Sequence, residues 1–196
     1  MDLQLEGKSV LITGGSKGIG KSIAKAFLEE RANVTIASRG MEDLEKTKEE
    51  FGGNVNILQA DVTKPEERQQ LIDAFLDQQG QIDILVNNAG GSMPGQEMEQ
   101  YYDVMELNYF SAVHLSKLAA EKMKRLQRGV IINITSIYGR ESGGSVTYNN
   151  AKSALISFTK GVANDWIKDG IRVNSIAPGS ILHETANWQR RLEGDP

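Results

Sequence analysis

Residues Gly14–Ser22 read GGSKGIGKS, and three catalytic motifs overlap in them. From Gly15 the stretch is G-x-x-x-x-G-K-[ST], a nucleoside-triphosphate P-loop. From Gly14 to Gly18 it is G-x-S-x-G, the nucleophile elbow of hydrolases. With Thr13 it is T-G-x-x-x-G-x-G, a variant dinucleotide-binding turn. Each reading wants a strand, a tight glycine turn and a helix N-terminus, and SVLIT-GGSKGIG-KSIAKAFL supplies that context to all three.

Working outward, short apolar runs rich in β-branched residues recur at 9–13 (SVLIT), 33–38 (NVTIAS), 54–60 (NVNILQA), 82–87 (IDILVN), 129–135 (GVIINIT) and 171–177 (IRVNSIA). Their near-continuous hydrophobicity suits strands covered on both faces, as in a parallel sheet. Helical patterns lie between them, the clearest placing Ile19, Ile23, Ala26 and Phe27 on one face. The charge-laced MEDLEKTKEEF (41–51) reads as a solvated helix with Leu44 and Phe51 turned inward. Residues 93–95, after the fourth strand, read as a loop where substrate contacts can lie. The alternation implies right-handed crossovers and an α/β doubly wound parallel sheet with helices on both faces, in one domain over 1–196. Ligands of such sheets bind beyond the carboxyl ends of the strands.

Composition narrows the classes. The chain has 196 residues and a net charge of −4, without a block of like charge, so neither a nucleic-acid partner nor a polybasic membrane anchor is expected. It has no cysteine and only two histidines, so no metal site is expected. No apolar run approaches the ~20 residues of a membrane span and the N-terminus lacks a signal-peptide core, so the expected location is the cytoplasm.

The hydrolase reading needs an acid and a histidine downstream, and His114 falls within an apolar helical pattern, LNYFSAVHLSKLAA. The P-loop reading needs Lys21 and Ser22 on phosphate and metal, and an aspartate ending a neighbouring strand, whereas Asp83 begins its strand. In a dinucleotide turn Gly14 permits the sharp bend, Gly18 lets backbone approach pyrophosphate and Gly20 allows close packing of the helix.

The stretch YNNAK places Tyr148 and Lys152 four residues apart at the start of a helical pattern, hence on one face about 6 Å apart along the axis. Ser136 follows the strand GVIINIT, at the end where the sheet presents its crevice. Singly, such a pair is ordinary surface decoration and such a serine an ordinary turn or cap.

Taken together, these residues resemble the classical short-chain dehydrogenase/reductase family. The likeness runs from Gly7 to about Ile181 through TGGSKGIG, Asp61-Val62, NNAG (87–90), Asn108, Ser136, Tyr148-x-x-x-Lys152 and Pro178-Gly179, and leans toward that family's 3-oxoacyl-(acyl-carrier-protein) reductases. The resemblance implies a Rossmann fold and a catalytic tetrad of Asn108, Ser136, Tyr148 and Lys152. It implies cofactor contacts from Gly14, Ser16, Lys17, Gly18, Ile19 and Gly20 in the turn. It further implies contacts from Asp61 and Val62 at the adenine, from Asn88 and Gly90 along the cofactor, and from Pro178 and Ile181 near the nicotinamide, besides Tyr148 and Lys152. It also implies a homo-oligomer, tetramer or dimer, through helices carrying Leu107, Phe110, Leu118 and Phe158. The reaction is then hydride exchange between a nicotinamide and a small carbonyl or alcohol substrate, with Tyr148 as acid/base and the Lys152 ammonium and the oxidised nicotinamide's charge expected to lower its pKa.

At the second strand's end stand Ser38 and Arg39 with no carboxylate, so Arg39 and Lys17 are read as partners of a 2′-phosphate and NADP(H) is expected over NAD(H). Two departures stand beside the likeness. The interval from Ser136 to Tyr148 is one residue shorter than in the acyl-carrier-protein reductases, in the glycine-rich IYGRESGGSVT. The chain also stops at Pro196, before that family's last helices and strand, so the expected sheet lacks those C-terminal elements and 180–196 begins a substrate lid holding His183, Glu184 and Trp188. A module that senses NADPH without turnover is the alternative reading.

Overall fold

The computed structural model describes residues 3–95 and 97–181. Six parallel strands form one sheet: β1 (Ser9–Thr13), β2 (Asn33–Ser38), β3 (Asn56–Gln59), β4 (Ile84–Asn87), β5 (Gly129–Ile134) and β6 (Ile171–Ile176). Their spatial order is β3-β2-β1-β4-β5-β6. The helices are α1 (Gly18–Glu29), α2 (Met41–Glu50), α3 (Pro65–Gln79), α4 (Met98–Met105), α5 (Ser111–Leu126) and α6 (Val146–Trp166). This is the Rossmann arrangement, and its chain order reverses between β1 and β4, opening a crevice at their carboxyl ends.

The strands lie where the apolar runs place them; β1 and β2 coincide with SVLIT and NVTIAS, and the other four are one to three residues shorter. Two cores result, one per face. Leu11, Leu71, Ile72, Phe75, Leu85, Leu115, Met123 and Ile131 pack between the sheet and α3 and α5. Val10, Ile12, Ala24, Val34, Ile36, Leu44 and Val86 pack between the sheet and α1 and α2. Alternate residues of β1 thus enter opposite cores, and all five are buried. Leu44 is buried and Phe51 packs beside it, as the pattern of 41–51 requires.

The face of α1 differs from the sequence reading. Gly20 and Ala24 are its buried residues, with Ile23, Phe27 and Leu28 packed against that core, while Ala26 is exposed. The helix meets the sheet through its smallest side chains, because its first turn lies against the β1 turn. A Cβ built on Gly20 falls 2.2 Å from the Gly14 carbonyl oxygen and 2.4 Å from Asn88 Nδ2. Any side chain there must push helix and strand apart.

No helix among the described residues is long and apolar enough to cross a membrane, and no group of three or more candidate metal ligands occurs among them. His183, Glu184 and Trp188, with most of the expected lid, lie outside the described residues.

Gly20→Ala is expected to lower stability by about 1–3 kcal/mol or more, because the clash is with backbone that cannot swing away. Thermal and urea denaturation of the variant check this; an unchanged midpoint would show that the α1 entry is looser than the contact distances require.

Candidate active site

The first turn is built by backbone geometry. Gly14 (φ 63°) and Gly18 (φ 53°) occupy the left-handed region that side-chain-bearing residues avoid. Lys17, the N-cap of α1, makes no side-chain cap hydrogen bond, which leaves the first amides of a twelve-residue helix facing the crevice. Free N–H groups and a helix dipole together suit an anionic group.

The neighbouring strand is stitched to this turn. Asn88 Nδ2 donates to the carbonyls of Thr13 and Gly14, at 3.0 Å each, and Thr13 Oγ1 accepts from the amides of Asn88 and Ala89, at 3.1 Å each. The loop beyond is held by Asn108, which is 1% exposed. Its Oδ1 accepts from Gly91 N (3.0 Å), and its Nδ2 donates to Gly91 O (2.9 Å) and Val104 O (3.0 Å). Asn108 sits in a five-residue π turn, Glu106–Phe110, that joins α4 to α5. Such turns widen a helix locally and recur at functional sites. The wide turn carries the amide toward Gly90, where a Cβ would fall 2.6 Å from Asn108 Oδ1 and 3.1 Å from Lys152 Nζ.

On the far wall, Ser136 caps a short 3₁₀ turn, Ile137–Gly139, its Oγ accepting from Tyr138 N at 3.2 Å. Tyr148 and Lys152 project from the first two turns of α6, with Nζ 5.5 Å from the phenol ring centroid. The Ser136 hydroxyl hydrogen-bonds the Tyr148 side chain. The shortened interval is therefore absorbed: Gly143 adopts φ 128°, and the Tyr138 ring lies where a Cβ on it would sit, 2.9 Å away. Lys152 is 3% exposed, and its ammonium donates to the Ile134 carbonyl at 2.9 Å.

These walls enclose a cleft of about 350 Å³ lined by Gly14, Lys17, Gly18, Ile19, Asn88, Gly90, Ser136, Tyr148, Lys152 and Pro178, with Ala89, Ile134, Thr135 and Gly179. Ile19 faces this cleft and not the core. Ser16, Gly20, Ser38, Arg39, Asp61, Val62, Asn108 and Ile181 do not line it. Gly20 and Asn108 act on it through the contacts just described. Ser38, Asp61 and Val62 follow along the same carboxyl edge, beyond β2 and β3, and Val62 is buried in the core beneath. Burial of Asp61 opposes its ionisation, but hydrogen bonds from Thr63 N and Oγ1, with the charges of Arg39 and Lys64, outweigh it and hold the carboxyl below its usual range.

Burial governs the two groups on α6. It pushes the Tyr148 phenol above its usual value, with the Ser136 hydrogen bond partly offsetting this, and it pushes the Lys152 ammonium down to about 8. Among the protein's own groups, desolvation of the phenol and not the Lys152 charge sets the direction for Tyr148.

The two competing motifs fail on geometry. Lys21 forms an ion pair with Glu50 on the outer side of α1, and Ser22 Oγ donates to Gly18 O at 3.2 Å, so neither meets the cleft. Asp83 is buried at the amino end of β4, its Oδ2 accepting from Ser9 N at 3.0 Å. His114 lies on α5 near Arg68 and Lys117, whereas Ser16 contacts α2 through Thr47.

Other residues were invisible to the sequence reading. Asn87 Nδ2 donates to Ser116 Oγ (2.9 Å) and Asn133 Oδ1 (2.8 Å), and Asn133 Nδ2 donates to Thr159 Oγ1 (2.8 Å). This buried chain links β4, β5, α5 and α6; Asn87 opens the NNAG stretch, but its inward role and that of Asn133 show in the sequence only as an asparagine inside each of two apolar strands. Buried Arg68 joins Val62 O to Glu106 of the π turn, tying the β3 end of the crevice to the Asn108 clamp.

A model of the short chain dehydrogenase family matches residues 8–194. The chain belongs to that family. It is 36% identical over 184 residues to a 3-oxoacyl-(acyl-carrier-protein) reductase of Vibrio cholerae, covering 91% of this chain and 75% of the relative. It is 37% identical over 188 residues to the 7α-hydroxysteroid dehydrogenase of Escherichia coli K12, covering 92% and 74%. Among solved structures, a 7α-hydroxysteroid dehydrogenase complexed with NADH and 7-oxo glycochenodeoxycholic acid superposes with a TM-score of 0.88 at 35% identity, over 92% of this chain and 74% of that one. An NAD⁺-bound xylitol dehydrogenase superposes at 0.91 with 28% identity, over 97% and 76%. As a short chain dehydrogenase the protein is a nicotinamide-dependent oxidoreductase of carbonyls and alcohols.

The buried lysine has a pH signature. Between about 8 and 10.5 the unfolded chain still holds the Lys152 proton that the folded chain has released, so its contribution to stability rises with pH across that window. The stability of the wild type relative to Lys152→Met is expected to increase by about 1–3 kcal/mol from pH 7 to pH 10. Urea denaturation of both proteins at several pH values checks this; a flat difference would mean the ammonium is better solvated than its burial indicates.

Proposed function

We propose that this short chain dehydrogenase is an NADP(H)-dependent reductase of a ketone or aldehyde, with Tyr148 as the proton donor. The observation that carries the reading is the convergence of Ser136, Tyr148 and Lys152 on the cleft into which the Gly14–Gly18 turn and the α1 N-terminus also open.

The residues fit a dinucleotide. The uncapped amides of α1 and the glycine backbone would hold the pyrophosphate, Asp61 and Val62 the adenine, Asn88 and Gly90 the span between, and Pro178 and Ile181 the nicotinamide end. The bound nicotinamide supplies the hydride. Ser136 would hydrogen-bond the substrate carbonyl and fix it beside the phenol. Tyr148, its pKa raised by burial, keeps its proton at neutral pH and can give it to the oxygen on which charge develops. Lys152 would bind ribose hydroxyls with the N–H groups not engaged by Ile134, and re-protonate the phenolate. Asn108 fixes the loop at Gly91 and, in this reading, anchors the water of the proton relay.

The preference for NADP(H) rests on Ser38 and Arg39 at the end of β2 and on Lys17 at the α1 N-cap. Arg39 makes no ion pair among the described residues, and Gln59 Nε2 holds its carbonyl at 2.8 Å, fixing the turn. A 3-oxoacyl thioester is the substrate class favoured by likeness to the Vibrio cholerae reductase. We place self-association at the π turn, α5 and α6. There Phe110 is exposed and Phe158 stacks edge-on between Tyr109 and Trp166, while Leu107 and Leu118 pack inward on the core.

Tyr148→Phe is expected to retain NADPH affinity, read by fluorescence titration, and to lose about 10²–10⁴-fold in turnover on a 3-oxoacyl thioester. Undiminished reduction by the variant would remove Tyr148 from the acid role. NADPH binding by the wild type without turnover across a broad carbonyl panel would favour a sensor over a reductase.

A further inference from the structure

The end of β2 carries no carboxylate in sequence, yet the fold brings one there. Asp43 stands in the first turn of α2, and its Oδ2 lies 2.7 Å from Lys17 Nζ. The same oxygen lies 3.3 Å from where a Cβ on Gly40 would be, so the carboxylate rests against the residue that follows Arg39. It therefore occupies the seam between the glycine turn and the β2 turn, paired with one of the two cations that the proposed function assigns to a 2′-phosphate. Glu50 engages Lys21 one turn further along, so the other cation on this stretch of α1 is also neutralised locally.

We infer that Asp43 is a cofactor-specificity residue that restrains binding of a 2′-phosphate at Lys17 and Arg39. This rests on the assignment of Lys17 and Arg39 to that phosphate. The physical argument is one of competing anions. A dianionic phosphate reaching Lys17 must displace the Asp43 carboxylate or share the ammonium with it, and the carboxylate's field opposes the phosphate in either case. The pair is open to such exchange, because the Lys17 and Asp43 side chains are 56% and 40% exposed, and ion pairs of that exposure hold weakly. An uncharged ribose 2′-hydroxyl meets no repulsion and can donate to the carboxylate, as an acid at this edge does for NAD. Asp43 thus narrows the preference that Lys17 and Arg39 create.

The test is direct binding of NADPH and NADH to the wild type, Asp43→Asn and Lys17→Met, by fluorescence titration at fixed low ionic strength, with thermal denaturation confirming that each variant is folded. Asp43→Asn keeps the side chain's size and removes only its charge. The ratio of Kd for NADH to Kd for NADPH is expected to rise roughly five- to tenfold in Asp43→Asn, and to fall in Lys17→Met. A ratio unchanged within about twofold in Asp43→Asn would overturn the inference and leave Asp43 as a helix-terminus residue. The wild-type ratio tests the NADP(H) assignment separately: a value at or below one would overturn that assignment, while the shift caused by Asp43→Asn would still be read against it.

Discussion

The contact on which the site depends is the one between Gly20 and the Gly14 carbonyl, with Asn88 Nδ2 wedged against both. It forces α1 to start where the β1 turn ends and sets the distance between the carboxyl ends of β1 and β4. Thr13 Oγ1 closes the same junction from the other side by accepting two amides of the β4 loop. Six groups of backbone or short side chain thus define one wall of the crevice, and none has conformational freedom to spare. A wall built this way presents N–H groups in fixed positions before any ligand arrives, so the ordering cost is met by folding and not by binding.

The opposite wall is held by a second buried polar system. Asn87, Asn133, Ser116 and Thr159 run beneath α6, and Thr159 donates onward to Leu155 O at 2.7 Å. Hydrogen-bonded polar groups in a core are directional where apolar packing is not, so this chain, in which only Asn87 Oδ1 lacks a partner, fixes how α6 sits over β5 and hence where Tyr148 and Lys152 point. Arg68 extends the same logic lengthwise, linking the Val62 loop to the π turn that carries Asn108. The two ends of the crevice share one buried cation.

Much of this was legible in the sequence, and for identifiable reasons. The six strands announced themselves because strands buried on both faces must be apolar throughout, and Tyr148-x-x-x-Lys152 announced itself because helical spacing converts directly into adjacency. The choice among the three overlapping motifs was also open to argument from strand ends, as the position of Asp83 shows. What stayed hidden was whatever depends on which helix faces which turn. Asp43 read as one charge among many in MEDLEKTKEEF, and only the placement of α2 beside the β1 turn sets it against Lys17. Ala26 and Ala24 were exchanged for a related reason: periodicity marks a stripe, but the closeness of Gly14 decides which small residues it must contain.

The electrostatics of the wall that carries Tyr148 and Lys152 follow from the same burial that orders it. Desolvation disfavours charge of either sign, so it raises the Tyr148 phenol and lowers the Lys152 ammonium, drawing two groups that ordinarily titrate at nearly the same pH apart. At neutral pH this leaves a phenol that holds its proton firmly and an ammonium within about a unit of releasing its own. In the proposed reduction the phenol would be the donor and the ammonium behind it would replenish the proton, a transfer that burial makes downhill by raising the one group and lowering the other. Running the reaction toward the carbonyl needs the reverse, a phenolate, which burial opposes unless positive charge enters the cleft. In the proposed reduction the phenol would thus meet the substrate oxygen already protonated, whichever carbonyl compound is bound.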